Sequence, residues 1–473
     1  ELEYPQLYNQ NGLSYKEYIL EENPGGKSYV EFSGIADPGL LWDITDPNNV
    51  VNIGYDSLAG LVQAIIPNTS AGRVLAFSEN STPVSDIRRV PVRRITASSA
   101  NYLMIYHSDF TQATGNYNDP VKAYAAYRAS PEGGGFDTLS VEISTLFNQY
   151  SYGEYSPLAI RNFCRDVVLN GDPESLLLIG KGLTLNYQYY RGLQTSTEVK
   201  DWIPTAGYPG SDVLFTAGLN GSAYGPGIPT GRITVKSAAE LANYLDKVRE
   251  AELFEFNEMW KKDIIQLSGG TSAGELVGFR QFINEFKAIQ EDLYLGSNTL
   301  NIYKESNNSV ELINISDEVN EGKSLILFFG HSAPNITDID IGYVSDPAMG
   351  YNNRGKYPFM YINGCDAGNI FTPFMTFGED WIVTSQKGAT GFYAHSDVGY
   401  TSTLKIFTST FLGTGYGDSS YIDQSYGRIL QETANRFLQT VPPSERNVAQ
   451  IQQNVLQGDP AALLFGANRP DYS

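Results

Sequence analysis

Beyond about residue 98, short unbroken apolar runs alternate with segments in which apolar positions recur every three or four residues. The runs include Tyr102-Leu103-Met104-Ile105-Tyr106-His107, Leu176-Leu177-Leu178-Ile179-Gly180, Gly231-Arg232-Ile233-Thr234-Val235 and Asp263-Ile264-Ile265-Gln266-Leu267. Leu325 to Gly330, Phe359 to Asn363 and Gly391 to His395 continue the series. Such runs suit strands buried on both faces. Between them the period is helical. Ser156-Pro157 predicts a capped helix start, with Ile160, Phe163, Cys164, Val167 and Val168 on one side. Ser237 with Glu240, and Ser272 with Glu275, are capping pairs. The first precedes the stripe Leu241, Tyr244, Leu245 and Val248; the second precedes Leu276, Phe279, Phe282, Ile283, Phe286 and Ile289. Strands alternating with helices predict an α/β region with mainly parallel sheets and helices on both faces.

The first 95 or so residues keep another rhythm. Ser28 to Ile35 alternates, and Leu40-Leu41-Trp42-Asp43-Ile44-Thr45-Asp46-Pro47 is an apolar strand closed by a turn, with no useful helical period nearby. The predicted organisation is an all-β, sandwich-like domain over 1–96, an α/β subdomain over 97–262 and a second over 263–473.

Composition narrows the partners. Of 473 residues, 41% are hydrophobic, enough for a substantial core, and 46 Gly with 23 Pro indicate many turns. The formal net charge of −21 would repel nucleic acid and anionic membrane, so neither is expected as a partner. No apolar stretch approaches a transmembrane helix, so no membrane insertion is expected. The chain opens on Glu1, which leads to the expectation that an N-terminal segment has been removed. Abundant Tyr, Asn and Gly with few Lys and Arg lean towards an exported protein. Cys164 falls on the apolar side of its helix and is expected as a buried free thiol. No Cys or His pair has zinc-ligand spacing.

Two apolar runs end in reactive side chains: Gly330-His331 and Gly364-Cys365. The chain has only three histidines and two cysteines. Taken singly, either residue is most simply a satisfied core group. At matching strand ends of one parallel sheet they would meet where open α/β folds bind ligands, and they would supply a nucleophile with its general base. A free thiol titrates near about 8.5, so an imidazole is needed to take its proton. Backbone N–H groups at Ser332 and Cys365, in Gly-flanked turns, are the expected oxyanion donors. His107 and His395 also end apolar strands and are expected to be structural, with His395 the better placed to border a cleft.

Gly330-His331, Asn363-Gly364-Cys365 and Phe377-Gly378-Glu379 resemble the catalytic region of the gingipain family of cysteine peptidases. Leu178-Ile179-Gly180, Ile203-Pro204-Thr205 to Ser211-Asp212, Gly231-Arg232-Ile233 and Gly458-Asp459-Pro460 extend the resemblance over about 98–465. The Trp42 to Pro47 stretch is similar to the N-terminal region of the family's sortase-like member in type IX secretion. The resemblance implies a caspase-like fold, a secreted or cell-surface location on a Gram-negative outer membrane, a protein or peptide substrate and secretion-system components as partners. It implies His331 as base and acid and Cys365 as nucleophile, and it puts Asp212 in a pocket for a basic substrate residue, with a buried structural Asp in a turn as the equal alternative. No cofactor is required for the chemistry. Family members bind structural calcium, and the loop Thr337-Asp338-Ile339-Asp340 is the candidate; its carboxylates lack EF-hand spacing, so a solvated loop is the plainer expectation. The family's histidine-orienting acid has no counterpart in Ala206 to Gly210, which leaves Asp201 and Glu198 as weak substitutes, and Ser332 stands where many members have Gly. The leading expectation is therefore a secreted cysteine endopeptidase with a Cys-His dyad, acting either as a hydrolase or as a sortase-like transpeptidase, between which the sequence does not choose. The rival is a catalytically silent, caspase-like scaffold of a secretion apparatus.

Overall fold

The computed structural model describes residues 8–35, 39–79, 94–95, 100–184, 200–253 and 258–464. The chain divides into two compact units, Glu1–Val90 and Pro91–Ser473. Glu198 lies outside the described residues.

The first unit is all-β, as its alternation predicts. Its strands are β1 (Tyr15–Leu20), β2 (Lys27–Phe32), β3 (Leu40–Asp43), β4 (Val51–Asn52), β5 (Tyr55–Leu58), β6 (Leu61–Pro67) and β7 (Arg73–Ser78). They form two antiparallel sheets, ordered β1-β7-β3-β4 and β2-β6-β5. In β1, Tyr18 and Leu20 point inward while Glu17 and Ile19 face solvent, because successive side chains alternate. The core gathers Tyr18, Phe32, Leu41, Val62, Ile66, Leu75 and Phe77.

The second unit is built on β8 (Tyr102–Tyr106), β9 (Thr138–Glu142), β10 (Ser175–Ile179), β11 (Thr230–Ile233), β12 (Asp263–Ser268) and β13 (Asn298–Tyr303). After the short β14 (Glu311–Leu312) come β15 (Leu325–Phe329), the short β16 (Ser332–Ala333), β17 (Ile336–Thr337) and β18 (Ile339–Asp340), and then β19 (Phe359–Asn363), β20 (Gly391–His395) and β21 (Asn454–Gly458). The ten longer strands make one sheet, β13-β12-β15-β19-β20-β21-β11-β10-β8-β9. All neighbours are parallel except β20 and β21. The two predicted subdomains therefore share a single sheet. β21, the last strand among the described residues, joins them.

Alternate residues of the buried runs feed opposite faces. Ile326 and Phe328 belong to one core cluster, whereas Leu325, Leu327 and Phe329 belong to the other. Both faces must be covered, and the helices Ala273–Gln290, Thr401–Gly415 and Tyr426–Thr440 contribute Phe279, Phe407 and Phe437 to the second cluster. Cys164 is free and fully buried, as expected, and burial pushes its thiol up to about 12. The crossover from β15 to β19 has no α-helix; it is filled by β16–β18 and a short 3-10 turn, Pro347–Met349.

Candidate functional site

β15 and β19 are parallel neighbours whose register pairs Phe329 with Asn363. Two residues further along each strand stand His331 and Cys365, so both leave the sheet at the same level of its carboxyl edge. Gly330 donates its N–H to the Asn363 carbonyl at 3.0 Å and holds the two ends together. A side chain at Gly330 would fall 2.5 Å from Asp338 Oδ1 and 2.6 Å from the Phe328 ring, so the turn before His331 needs glycine. Both reactive residues emerge from burial: the His331 side chain is 49% exposed and Cys365 is half-buried.

The acid beside His331 is Glu275, at 3.2 Å from Nε2. Glu275 lies in the first turn of the helix Ala273–Gln290, whose N-cap Ser272 accepts the Glu275 N–H as its spacing predicts. The carboxylate does not close the capping box. One oxygen takes the Thr271 N–H at 2.9 Å and the Thr271 hydroxyl at 3.0 Å, and the other turns to His331. The Thr271 N–H, followed by its hydroxyl and His331, holds the carboxyl down to about 2 against a smaller opposing effect of burial. An ionised carboxylate can only accept, so Nε2 carries the hydrogen, and in the neutral ring the lone pair is then on Nδ1. Sequence reasoning saw Glu275 only as a cap. The signal available was an acid in the first turn of a helix that starts at the carboxyl end of β12, the strand next to β15.

The Cys365 sulfur lies 3.4 Å from the Gly399 N–H and 3.8 Å from its carbonyl. Among the described residues no hydrogen bond joins it to His331. Ser332 donates its hydroxyl to the Cys365 carbonyl at 2.7 Å, which ties the histidine turn to the cysteine turn. The turn is tight: Asp366 takes a left-handed φ of 59°, and its N–H reaches the Asp397 carbonyl at 3.0 Å. A thiol, an imidazole and an ionised carboxylate thus stand at one edge of the sheet. That set can move a proton from sulfur and attack an electrophilic carbon.

The remaining expected residues are elsewhere. Asp212 is buried, with both oxygens 2.7 Å from the Arg232 guanidinium, which also donates to the carbonyls of Gly180, Ile203 and Pro204. His395 is buried at the end of β20, and loss of hydration lowers its imidazole to about 4, so it is neutral. Asp201 accepts the Leu183 N–H at 2.9 Å, far along the sheet from β15. His107 accepts the Asp109 N–H at 3.1 Å and caps a short turn. In the loop named for calcium, Asp338 is buried against Gly270 and Lys304, and Asp340 accepts the Gly342 N–H. Among the described residues no three His, Cys, Asp or Glu cluster as a metal cage. None of their helices is long and apolar enough to cross a membrane.

The fold has known counterparts. The structure of the Arg-specific cysteine proteinase gingipain R aligns at a TM-score of 0.59 with 17% identity, covering 79% of this chain and 80% of that one. The complex of pro- and mature domains of a Porphyromonas gingivalis gingipain gives 0.59 with 15% identity over 76% and 79%. Latent PorU from Porphyromonas gingivalis covers 93% of this chain and 38% of its own, with 13% identity and a TM-score of 0.47. No curated protein sequence matches. The pattern of Peptidase family C25 spans residues 95–465, most of the chain and all of the sheet that carries His331 and Cys365. The chain belongs to peptidase family C25, a family of cysteine peptidases.

Proposed function

We propose that the chain is an exported cysteine endopeptidase in which Cys365 is the nucleophile, His331 the base and acid, and Glu275 the acid that orients His331. The observation that carries this reading is the matched placement of His331 and Cys365 at neighbouring strand ends, with Glu275 at His331 Nε2. The Cys365 thiol gives its proton to His331 Nδ1, and the thiolate attacks the peptide carbonyl carbon. The tetrahedral oxyanion sits near the backbone N–H groups of Cys365 and Ser332. Collapse breaks the C–N bond as His331 returns the proton to the leaving amine, and a thioester remains. Water then hydrolyses the thioester, with His331 as its base. The substrates are protein chains processed outside the cytoplasm, a location consistent with the acidic, Lys- and Arg-poor composition.

The test is covalent labelling by iodoacetamide or a peptidyl chloromethylketone, together with cleavage of a peptide library. Stoichiometric labelling and cleavage by the wild type, both absent in Cys365→Ala, are the expected results. Equal labelling of the two proteins at one site would overturn the nucleophile assignment. Product masses that include an added amine in place of water would replace hydrolysis by transpeptidation.

A further inference from the structure

Asp338 is a buried carboxylate, its side chain 2% exposed, and the peptidase chemistry gives it no part. Oδ2 accepts the Gly270 N–H at 2.7 Å and lies 3.9 Å from the fully buried Lys304 ammonium. Oδ1 has no hydrogen-bond partner among the described residues. It presses on two glycines: a side chain on Gly269 would stand 2.0 Å from it and one on Gly330 2.5 Å. The Asp338 N–H donates to the His331 carbonyl at 2.8 Å. Burial raises this carboxyl, against the Gly270 N–H and the Lys304 charge.

These contacts close a ring. Asp338 holds Gly270; Thr271, the next residue, holds one oxygen of Glu275; the other oxygen meets His331; and the His331 carbonyl returns to the Asp338 N–H. The ends of β12 and β15 are thereby fixed from behind, where neither glycine leaves room to shift. We propose that Asp338 is a positioning residue that sets the distance and orientation at which Glu275 meets His331, and so holds His331 in the tautomer with hydrogen on Nε2. The ring itself does not depend on the peptidase reading; only the activity readout does.

The experiment compares wild type with Asp338→Asn, Asp338→Ala, Glu275→Gln and the double variant Asp338→Ala/Glu275→Gln. Asp338→Asn keeps the volume but places an amide NH2 against Gly269 and Gly330 or against the Gly270 N–H, so it tests the ring if the alanine variant does not fold. Peptide cleavage should lose about ten- to a hundredfold in kcat in each Asp338 variant, with KM within about twofold, because misplacement acts on the transition state. The double variant should be no slower than the slower single variant, because both act through one ring. The second readout needs no substrate. With three histidines in the chain, selective 15N-histidine labelling resolves His331, and its spectrum should change from one Nε2–H tautomer to a mixture in either Asp338 variant. An unchanged His331 tautomer in folded Asp338→Asn, or losses of kcat that multiply in the double variant, would overturn the proposal. A wild type that cleaves nothing would refute the peptidase reading and leave the nitrogen spectrum to decide Asp338.

Discussion

Strands β10 and β15 end alike, Ile179-Gly180 and Phe329-Gly330, each a buried apolar run closed by glycine. Beyond the glycine the two ends part. At Gly180, φ is 130° and an added Cβ would sit 2.8 Å from Phe110 and 2.9 Å from Trp202, so aromatic rings seal the edge. The next residue, Lys181, is fully buried and paired with Glu379 at 2.7 Å, and Arg232 locks Asp212 beside it. At Gly330 the next residue is His331, half in solvent, beside a half-buried thiol. One α/β sheet offers many carboxyl ends, and that of β10 is closed by packing and ion pairs. Buried ion pairs add little net stability but penalise any rearrangement, so the closed end makes a rigid wall and the open end holds the reactive groups.

The largest test of this contrast is at the open end. His331→Ala should lower kcat/KM for a cleaved peptide by about a thousandfold or more, since a base that acts as a unit with its nucleophile is not replaced by water. Its stability in denaturant should stay within about 0.5 kcal/mol, because the side chain is half-exposed. Activity retained within tenfold would mean that the open edge is not the reactive one.

The closed end should respond in the opposite way. Asp212→Asn leaves the Arg232 guanidinium buried without its carboxylate, which costs about 3–5 kcal/mol of stability. Urea unfolding measures it. If Asp212 instead serves a basic substrate residue, the same variant would unfold normally and lose its preference for Arg over Leu before the scissile bond. That pair of outcomes separates a wall from a pocket.

Much of the contrast was legible in the chain. The apolar runs marked the strands, and the rarity of His and Cys singled out His331 and Cys365. Glu275 was legible as part of a helix cap but not as the partner of His331, because nothing local says that Thr271 would take one oxygen and leave the other for a residue 56 positions on. The single sheet was also hidden. β21 lies between β20 and β11, whose residues are about 60 and 220 positions earlier, and periodicity carries no information about such pairing. The partner of Asp212 was hidden for the same reason: Arg232 is twenty positions away on β11.

His395 tests a strand end that is closed without an ion pair. Its imidazole is held near about 4 by burial, below the ordinary 6.5 or so of an unfolded chain. The lowered value means that the unfolded chain binds the proton first. The stability that the neutral ring supports is therefore present above about pH 6.5 and is lost progressively as pH falls towards 4, where the loss reaches about 3 kcal/mol. His395→Gln should remove this slope, read as the difference in unfolding free energy between variant and wild type across that window. Parallel pH profiles for the two proteins would show that His395 titrates normally and that this end of β20 is open.

The smallest effect is expected from Ser332, which joins the two turns of the open end. Its hydroxyl reaches the Cys365 carbonyl at 2.7 Å, and it lies so close over Gly364 that a Cβ there would stand 2.1 Å from the oxygen. Ser332→Ala removes that bond and leaves the half-buried carbonyl to find water, at a cost of about 1 kcal/mol. If the bond spaces the two backbone N–H groups that meet the oxyanion, the loss should appear as about three- to tenfold in kcat with KM unchanged. Ser332→Gly should behave like the alanine variant, because the hydroxyl and not the Cβ makes the contact. A loss confined to thermal stability, with kcat intact, would make Ser332 a brace of the wall rather than a part of the open edge.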